Sequence, residues 1–549
     1  MTTPSTLAPA EVLALYPAHD DTIPLLLRSR CERRAATEVL RFESRSWTYA
    51  ELDRVSDLLG AALRTRGVRK GDRVALIARN SDLSIVLFLA LAKSGAIFAP
   101  VNPALTASEL QYILGHCRAP LIVAEPAEVA RIADVAAKLQ HAADIVDLAA
   151  FGAAQTSAAG VLEEIAALPR TQQAAEPVAA ADPAVVIYTS GTTGLPKGVL
   201  HSHRNYVWAG EAFVERMRLQ PADRLLTMLP FFHINALFYS CGGALAAGAT
   251  LITAPAFSAS TLWDLAAETG ATVFNTIAAV GNILAKRPRS EFNTRHRITK
   301  IYGGPISAEM CDVFQNEFHI PDLIEGYAMS EIPGACNNPF EGVRKIGSIG
   351  KPARHPRLGG TFVQMKVVDD DGNVVVDRQQ GEILVKTPIA MLGYLDDPEQ
   401  TRASFTDGWF HTGDVGWRDE EGYFYFVTRK KDIIRRRGEN ISGAEIDRVL
   451  THHPDILEAA AIGVPSELGE EEIMAVLVAR TPQRPDVQSL VDWCAQNLAA
   501  MKVPRYFVFV DALPHSASHR VAKFRLKEDA TLLARAFDRG DGRGDGRGR

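Results

Sequence analysis

Ala184-Val-Val-Ile-Tyr-Thr-Ser-Gly-Thr-Thr-Gly-Leu-Pro-Lys-Gly-Val199 decides the reading of this chain. Its first four residues are an apolar run that ends at a hydroxyl- and glycine-rich turn, which reads as a buried strand opening into a polar loop. Thr189, Ser190, Thr192 and Thr193 supply hydroxyls, Gly191 and Gly194 allow backbone geometries that would strain other residues, and Lys197 adds a mobile positive charge. Such a loop is fitted to hold polyphosphate. It departs from the common nucleotide loop, in which Lys is followed by Ser or Thr at a helix start, because Pro196 precedes Lys197 and Gly198 follows it.

Outward from the loop, strand and helix patterns alternate. Apolar residues at helical spacing run from Leu52 to Leu63, Asp72–Ile77 reads as a strand, Leu83–Ala92 as a helix packed on it, and Ala96–Pro103 as a strand and turn. Downstream, strands are expected at Arg224–Leu229, Thr250–Ile252 and Thr272–Asn275, with a helix near Thr261–Ala267. The fold class is therefore α/β: layers around a mainly parallel sheet. Alternation from Val363 to Tyr394, with a turn signal at Asp370-Asp-Gly-Asn373, adds a small β unit. Past Lys431, strands near Ala459–Val464, Ile473–Val478 and Arg505–Val510 and a helix near Val487–Ala499 form a smaller α+β unit. The Ala-rich stretch Ala142–Ala181 lacks firm periodicity and reads as a surface connection. The expected divisions are 1–430, 431–538 and a Gly/Arg/Asp tail at 539–549 that cannot bury a core.

At 549 residues the chain is too long for one core, and its net charge of −6 offers no broad footprint for nucleic acid. Six scattered cysteines without a Cys-x-x-Cys pair argue against a disulfide framework or a zinc cluster and fit a reducing cytoplasm. The start lacks a secretory pattern, and the longest apolar run, Ile85–Ala92, is far below the roughly 20 residues a bilayer needs. No membrane span is expected.

The loop Thr189-Ser-Gly-Thr-Thr-Gly-x-Pro-Lys-Gly198 resembles the phosphate loop of the adenylate-forming superfamily, which holds acyl- and aryl-CoA ligases, nonribosomal adenylation domains and beetle luciferases. Further segments are similar to that superfamily over about residues 25–530. Tyr327-Ala-Met-Ser-Glu331 resembles its Tyr-Gly-x-Thr-Glu motif, which implies Tyr327 on adenine, Ser330 at the α-phosphate and Glu331 on Mg2+; an aromatic face and a hard carboxylate suit those partners. Tyr302-Gly-Gly-Pro305 is similar to the adenine-site turn and implies roles for Gly303, Gly304 and Pro305. Pro230-Phe-Phe-His233 matches a histidine beside the acyl carboxylate, although a His after two Phe is more often simply packed. Trp409-Phe-His-Thr-Gly-Asp414 and Arg429 imply a ribose site. Lys431 falls at the hinge about which the superfamily's mobile C-terminal domain turns, and Gly438 at the pantetheine tunnel. Arg435, Arg436 or Arg437 meets a coenzyme A phosphate on this reading; the alternative is a solvated charge run. Asn235, Tyr239, Val280, Gly281 and Gly303, with His233, are the candidate acyl-pocket residues.

One motif departs. The superfamily carries Leu-Pro-x-Thr-x-x-Gly-Lys near its C-terminus, and this chain reads Leu513-Pro-His-Ser-Ala-Ser-His-Arg520-Val-Ala-Lys523. Arginine keeps the charge but its planar fork differs from an ammonium, so either Arg520 or Lys523 takes the adenylation role. The resemblance implies an ATP-dependent acyl-CoA ligase using Mg2+, ATP, coenzyme A and a small carboxylic acid. Phe232-His-Ile-Asn-Ala236 and Arg436-Arg-Gly-Glu-Asn-Ile441 look most like crotonobetaine/carnitine-CoA ligases. A stand-alone enzyme loading a carrier protein, and an ATP- or acyl-CoA-binding regulator impaired at Arg520, stay open, as does a homodimer.

Overall fold

In the computed structural model, residues 6–152, 156–170, 175–189, 196–436, 439–466, 471–515 and 521–540 are described, without the side chains of Lys431, Glu439 and Asn440. Two large sheets carry the N-terminal part. The first has seven strands in the order Gly393–Tyr394, Lys197–Ser202, Pro183–Thr189, Ile97–Val101, Arg73–Ile77, Leu121–Ala124, Asp144–Asp147. Five of them are parallel; Lys197–Ser202 runs antiparallel to Pro183–Thr189, and Gly393–Tyr394 is antiparallel to Lys197–Ser202. The second has nine strands, in whose middle Asp322–Met329, Lys300–Gly303, Val273–Asn275 and Arg224–Thr227 lie parallel and side by side.

The helix Asp82–Ser94 is buried on every side, all of its residues except Lys93 being inaccessible. A helix apolar all round belongs in a core. Asp82 sits at its N-terminus, fully buried, and accepts from Arg45 Nε at 2.6 Å, from Trp47 Nε1 at 2.8 Å and from the Leu83 amide at 3.0 Å. Charge, two donors and the positive helix end together offset the desolvation of the carboxylate. No helix among the described residues is long and apolar enough to cross a membrane, and the six cysteines are free.

A five-stranded sheet built on Gln364–Val368, Gly381–Lys386 and Trp409–Arg418 stands against this body, and Phe424–Arg429 pairs with Trp409–Arg418. Residues from Ile434 onward have cores of their own on the two faces of the sheet Ile456–Pro465, Glu471–Ala479, Tyr506–Phe509, Phe537–Asp538.

Two local readings need correction. Ala142–Ala181 contains a strand, Asp144–Asp147, and a helix, Ala158–Ala167, whose Val161 and Ile165 are fully buried; alanines on the remaining positions hide the helical period. The turn at Asp370–Asn373 is present, closed by the Asp369 amide to the Asn373 carbonyl at 2.9 Å, but the strand that returns along Gln364–Val368 begins only at Gly381.

Buried histidines give the fold a pH dependence. His201 is pulled down to about 4 by burial, against the hydrogen bond it donates to the Ser330 carbonyl; His203 is pulled to about 4 by burial, against Asp182 and Asp20. Both ionise near 6.5 when unfolded, so between pH 6.5 and 4.5 the unfolded chain binds protons the native one refuses and stability falls as pH drops. Glu325, pushed up to about 7 by burial, acts in the opposite sense over the same window. Of these three groups, two against one leave a net loss of about 2 kcal/mol across those two pH units. Denaturant titrations at pH 6.5 and 4.5 measure it; a midpoint that rises as the pH drops would mean that the two imidazoles are protonated in the native state.

Candidate functional site

The strands Pro183–Thr189 and Lys197–Ser202 form an antiparallel hairpin whose last pair is Thr189 opposite Lys197. The loop they hold, with Ser190, Gly191, Thr192, Thr193 and Gly194, lies outside the described residues. Two residues that the sequence did not single out stand on or beside the strand Lys197–Ser202. Tyr394, carried by a strand paired to Val199 and Leu200, places its ring 5.0 Å from Lys197 Nζ and donates its hydroxyl to Glu331 Oε1 at 2.9 Å. His201 donates from Nε2 to the Ser330 carbonyl at 2.7 Å, and its Nδ1 accepts from Asn205 Nδ2 at 3.1 Å, which fixes the tautomer. No local pattern marks either residue, because both act across long stretches of chain.

Ser330 and Glu331 occupy the tip of the hairpin formed by Asp322–Met329 and Ile332–Asn337. One Glu331 oxygen takes the Tyr394 hydroxyl, and its main-chain carbonyl takes the Met391 amide at 2.9 Å. The second oxygen suits a hard cation that draws its other ligands from phosphate and water. Among the described residues there is no cluster of three or more His, Cys, Asp or Glu that would cage a metal alone, as fits a cation brought in with a nucleotide.

On the same hairpin, Tyr327 donates its hydroxyl to Asp414 Oδ2. Asp414, 1% exposed, is also paired at Oδ1 with Arg429 Nε at 2.6 Å, the two residues standing opposite each other on antiparallel strands. An aromatic, a buried carboxylate and an arginine thus converge from three strands. Gly303 and Gly304 follow the strand Lys300–Gly303 in close contact with their neighbours: a Cβ at Gly303 would lie 2.8 Å from the Thr276 carbonyl and one at Gly304 2.9 Å from the Gly326 carbonyl. Pro305 follows in cis.

His233 lies against Phe232, ring centroids 4.7 Å apart, at the head of the wide helical turn Asn235–Cys241. Asn235 donates to the Thr276 carbonyl at 3.3 Å and accepts from Asn275 at 2.9 Å, which ties that turn to the strand carrying Asn275. Tyr239 is buried four residues on, stacked on Phe213. Val280 is buried, and Gly281 packs under Met310, whose sulfur lies 2.3 Å from where a Cβ would be. Gly281 therefore serves helix contact rather than a pocket wall.

The basic run divides by strand alternation. Arg435 is exposed, whereas Arg436 is 3% exposed and pairs with Glu472 at 2.7 Å while donating to the Met501 carbonyl at 2.6 Å. Arg436 thus closes the core of its own unit, and the expectation that it meets coenzyme A is corrected. Arg437, Gly438 and Arg520 lie outside the described residues, as does the side chain of Lys431. Lys523 pairs with Asp447 at 2.6 Å and donates to the Ala461 carbonyl at 3.0 Å.

A family model described as AMP-binding enzyme matches residues 27–395, and one described as AMP-binding enzyme C-terminal domain matches residues 445–520. The chain is 34% identical over 489 residues to a sulfoacetate–CoA ligase of Cupriavidus necator, covering 88% of this chain and 92% of that one. It is 30% identical over 491 residues, 88% and 93% of the two chains, to a crotonobetaine/carnitine–CoA ligase of Escherichia coli. Among solved structures, O-succinylbenzoate coenzyme A synthetase from Bacillus subtilis, in complex with ATP and magnesium ion, superposes with a TM-score of 0.78 at 26% identity, over 91% and 99% of the chains.

Proposed function

The chain belongs to the AMP-binding enzyme family and is an ATP-dependent acid–CoA ligase, and we propose that its chemistry runs along the hairpin Asp322–Asn337, with nucleoside on one side and triphosphate on the other. The observation that carries this reading is the convergence of Tyr327, Asp414 and Arg429 at one end and of Lys197, Tyr394 and Glu331 at the other. The base lies against Tyr327 and the Gly303–Pro305 turn, the ribose hydroxyls on Asp414 and Arg429, and the phosphates between Lys197, the loop from Thr189 and Ser330. Glu331 would hold Mg2+, which when bound would supply charge neutralisation at the phosphates.

In the first reaction a carboxylate oxygen attacks the α-phosphorus; the new P–O bond forms as the bond to the β-phosphate bridge breaks, and pyrophosphate leaves. Lys197 and Arg520 offset the negative charge that gathers there. In the second, the coenzyme A sulfur, having given up its proton, attacks the acyl carbon and AMP departs. A turn of the C-terminal unit about Lys431 exchanges the groups that face the acyl carbon between the two reactions. His233 and Asn235 border the carboxylate, with Tyr239 and Gly303 beyond. Coenzyme A enters past Gly438, and its phosphates meet Arg435 or Arg437.

The two relatives act on different acids, so likeness alone does not choose this chain's acid. The deciding experiment is pyrophosphate release from MgATP across short, long, aryl, betaine-like and dianionic acids, each with and without coenzyme A. The expected result is release that requires one acid class, with thioester formed only when coenzyme A is present. Thioester on a carrier protein but not on coenzyme A would reassign the acceptor, and nucleotide binding without release for every acid would overturn the catalytic assignment.

A further inference from the structure

Arg216 stands in the last turn of the helix His203–Met217 and is 3% exposed. Its Nε donates to Asn337 Oδ1 at 3.1 Å, Nη1 to the Tyr302 hydroxyl at 3.2 Å and Nη2 to the Gly334 carbonyl at 3.4 Å. Around it stand the rings of Tyr239, Tyr302 and Phe213, with centroids 5.2, 5.3 and 5.8 Å from the guanidinium carbon. Every one of these partners is neutral. Arg45 and Arg436, 8% and 3% exposed, each hold a carboxylate; among the described residues none pairs with Arg216, nor with Arg30, 1% exposed, which donates to the Ala246 carbonyl and the Ser29 hydroxyl.

A guanidinium out of water without a counter-ion costs several kcal/mol, which aromatic faces and neutral acceptors offset only in part. Of its five N–H groups, three are used in the bonds above, leaving one on each terminal nitrogen. Beside it lies the Tyr239 hydroxyl, on a side chain 2% exposed, with Arg216 and the Gly334 main chain as its polar neighbours. The guanidinium and this hydroxyl therefore face one another in a buried place.

That place touches three elements of the acyl side of the site. Tyr239 belongs to the helical turn that begins at Asn235, Tyr302 directly precedes Gly303, and Gly334 lies three residues beyond Glu331 on the hairpin. Gly334 has φ +82°, and a Cβ there would stand 2.2 Å from Arg216 Nη2, so only glycine lets the guanidinium rest on the hairpin backbone.

We propose that Arg216, with the hydroxyls of Tyr239 and Tyr302, receives a second anionic group on the substrate, so that the acid is a short one bearing a carboxylate or sulfonate at the end away from the reacting carboxylate. This rests on the acyl-site placement given under Proposed function. The missing counter-ion is then the substrate itself. A neutral acid of equal length leaves the guanidinium unpaired and loses the charge-assisted bonds.

The test compares kcat/KM of the full-length enzyme, with MgATP and coenzyme A, for α,ω-dicarboxylates and ω-sulfo acids of two to six carbons against monocarboxylates of equal length. The wild type is expected to favour one anionic series by about 100-fold or more, and Arg216→Met to reduce that preference to less than about tenfold, within the range for truncating one partner of a buried charge pair. Tyr239→Phe, which preserves the packing, should weaken the anionic acids about fivefold to tenfold more than the monocarboxylates of equal length; it keeps the idea testable where Arg216→Met does not fold. The carboxylate and sulfonate arms decide between the two anions. Calorimetric titration with the same acids reads binding apart from turnover. Anionic acids that bind in an Arg216-dependent way but yield no pyrophosphate would uphold the receptor while overturning the catalytic assignment. A wild type that uses or binds neutral acids as well as anionic ones, or an Arg216→Met enzyme that keeps its preference, would overturn the receptor and leave the ligase chemistry in place.

Discussion

Glu331→Gln is expected to lower kcat/KM for acid-dependent pyrophosphate release by two to three orders of magnitude, about 3–4 kcal/mol of transition-state stabilisation. The substitution isolates charge from shape. Glutamine keeps an oxygen to accept the Tyr394 hydroxyl, and the backbone tie from the Met391 amide to residue 331 does not involve the side chain. The hairpin tip therefore stays in place while the carboxylate proposed to hold the cation is lost. A carboxylate is a far better ligand than an amide for a small hard cation, so the Mg2+ concentration for half-maximal rate should rise steeply and high Mg2+ should recover part of the rate. Tyr394→Phe removes only the orienting bond and should cost less than about tenfold. The checks are initial rates over a Mg2+ series and thermal unfolding of each variant. A rate loss matched by an equal loss of folded protein would show Glu331 to be structural.

What the sequence disclosed about this site was whatever lies within one turn or one strand. The strand that opens into the loop at Thr189 and the spacing of Tyr327, Ser330 and Glu331 are local, and the residues spell them out; that Thr189 pairs with Lys197 and that the other three share one hairpin is seen only in the structure. Tyr394 reaching Glu331 across 63 positions, His201 reaching Ser330 across 129 and Arg216 reaching Gly334 across 118 are not local. They depend on strand order, which no short pattern records. Arg436 failed for a different reason. Positively charged neighbours look alike in a sequence, but in a strand they alternate between solvent and core, and the register that buries Arg436 beside Glu472 is set by the opposite strand. Ala142–Ala181 hid its helix because alanine fills both faces and erases the apolar period that marks an amphipathic segment.

Arg520→Ala is expected to reduce acyl-adenylate formation by about 10²–10³-fold, the usual cost of deleting one donor aimed at developing charge, while thioester formation from ready-made acyl-adenylate and coenzyme A stays within a few-fold of wild type. The competing candidate, Lys523, argues for this assignment by where it is tied. Its ammonium pairs with Asp447 at 2.6 Å and donates to the Ala461 carbonyl at 3.0 Å, and both partners belong to the same C-terminal unit. The proposed turn of that unit about Lys431 would carry Lys523 and its partners together, so the swing would not release the ammonium toward a phosphate. Burial pushes the Asp447 carboxyl up, and Lys523 and the Ala461 amide oppose this shift; removing Lys523 leaves a half-buried carboxylate with the amide as its remaining partner. Lys523→Ala should thus destabilise the C-terminal unit by about 3 kcal/mol, with both half-reactions falling together. Arg520→Lys should restore part of the adenylation rate, since the charge returns without the planar fork. Half-reaction rates and the unfolding midpoint, taken for the three variants side by side, separate the cases. If Lys523→Ala instead lost adenylation alone, with its melting unchanged, the Asp447 pair must open during turnover and the role passes to Lys523.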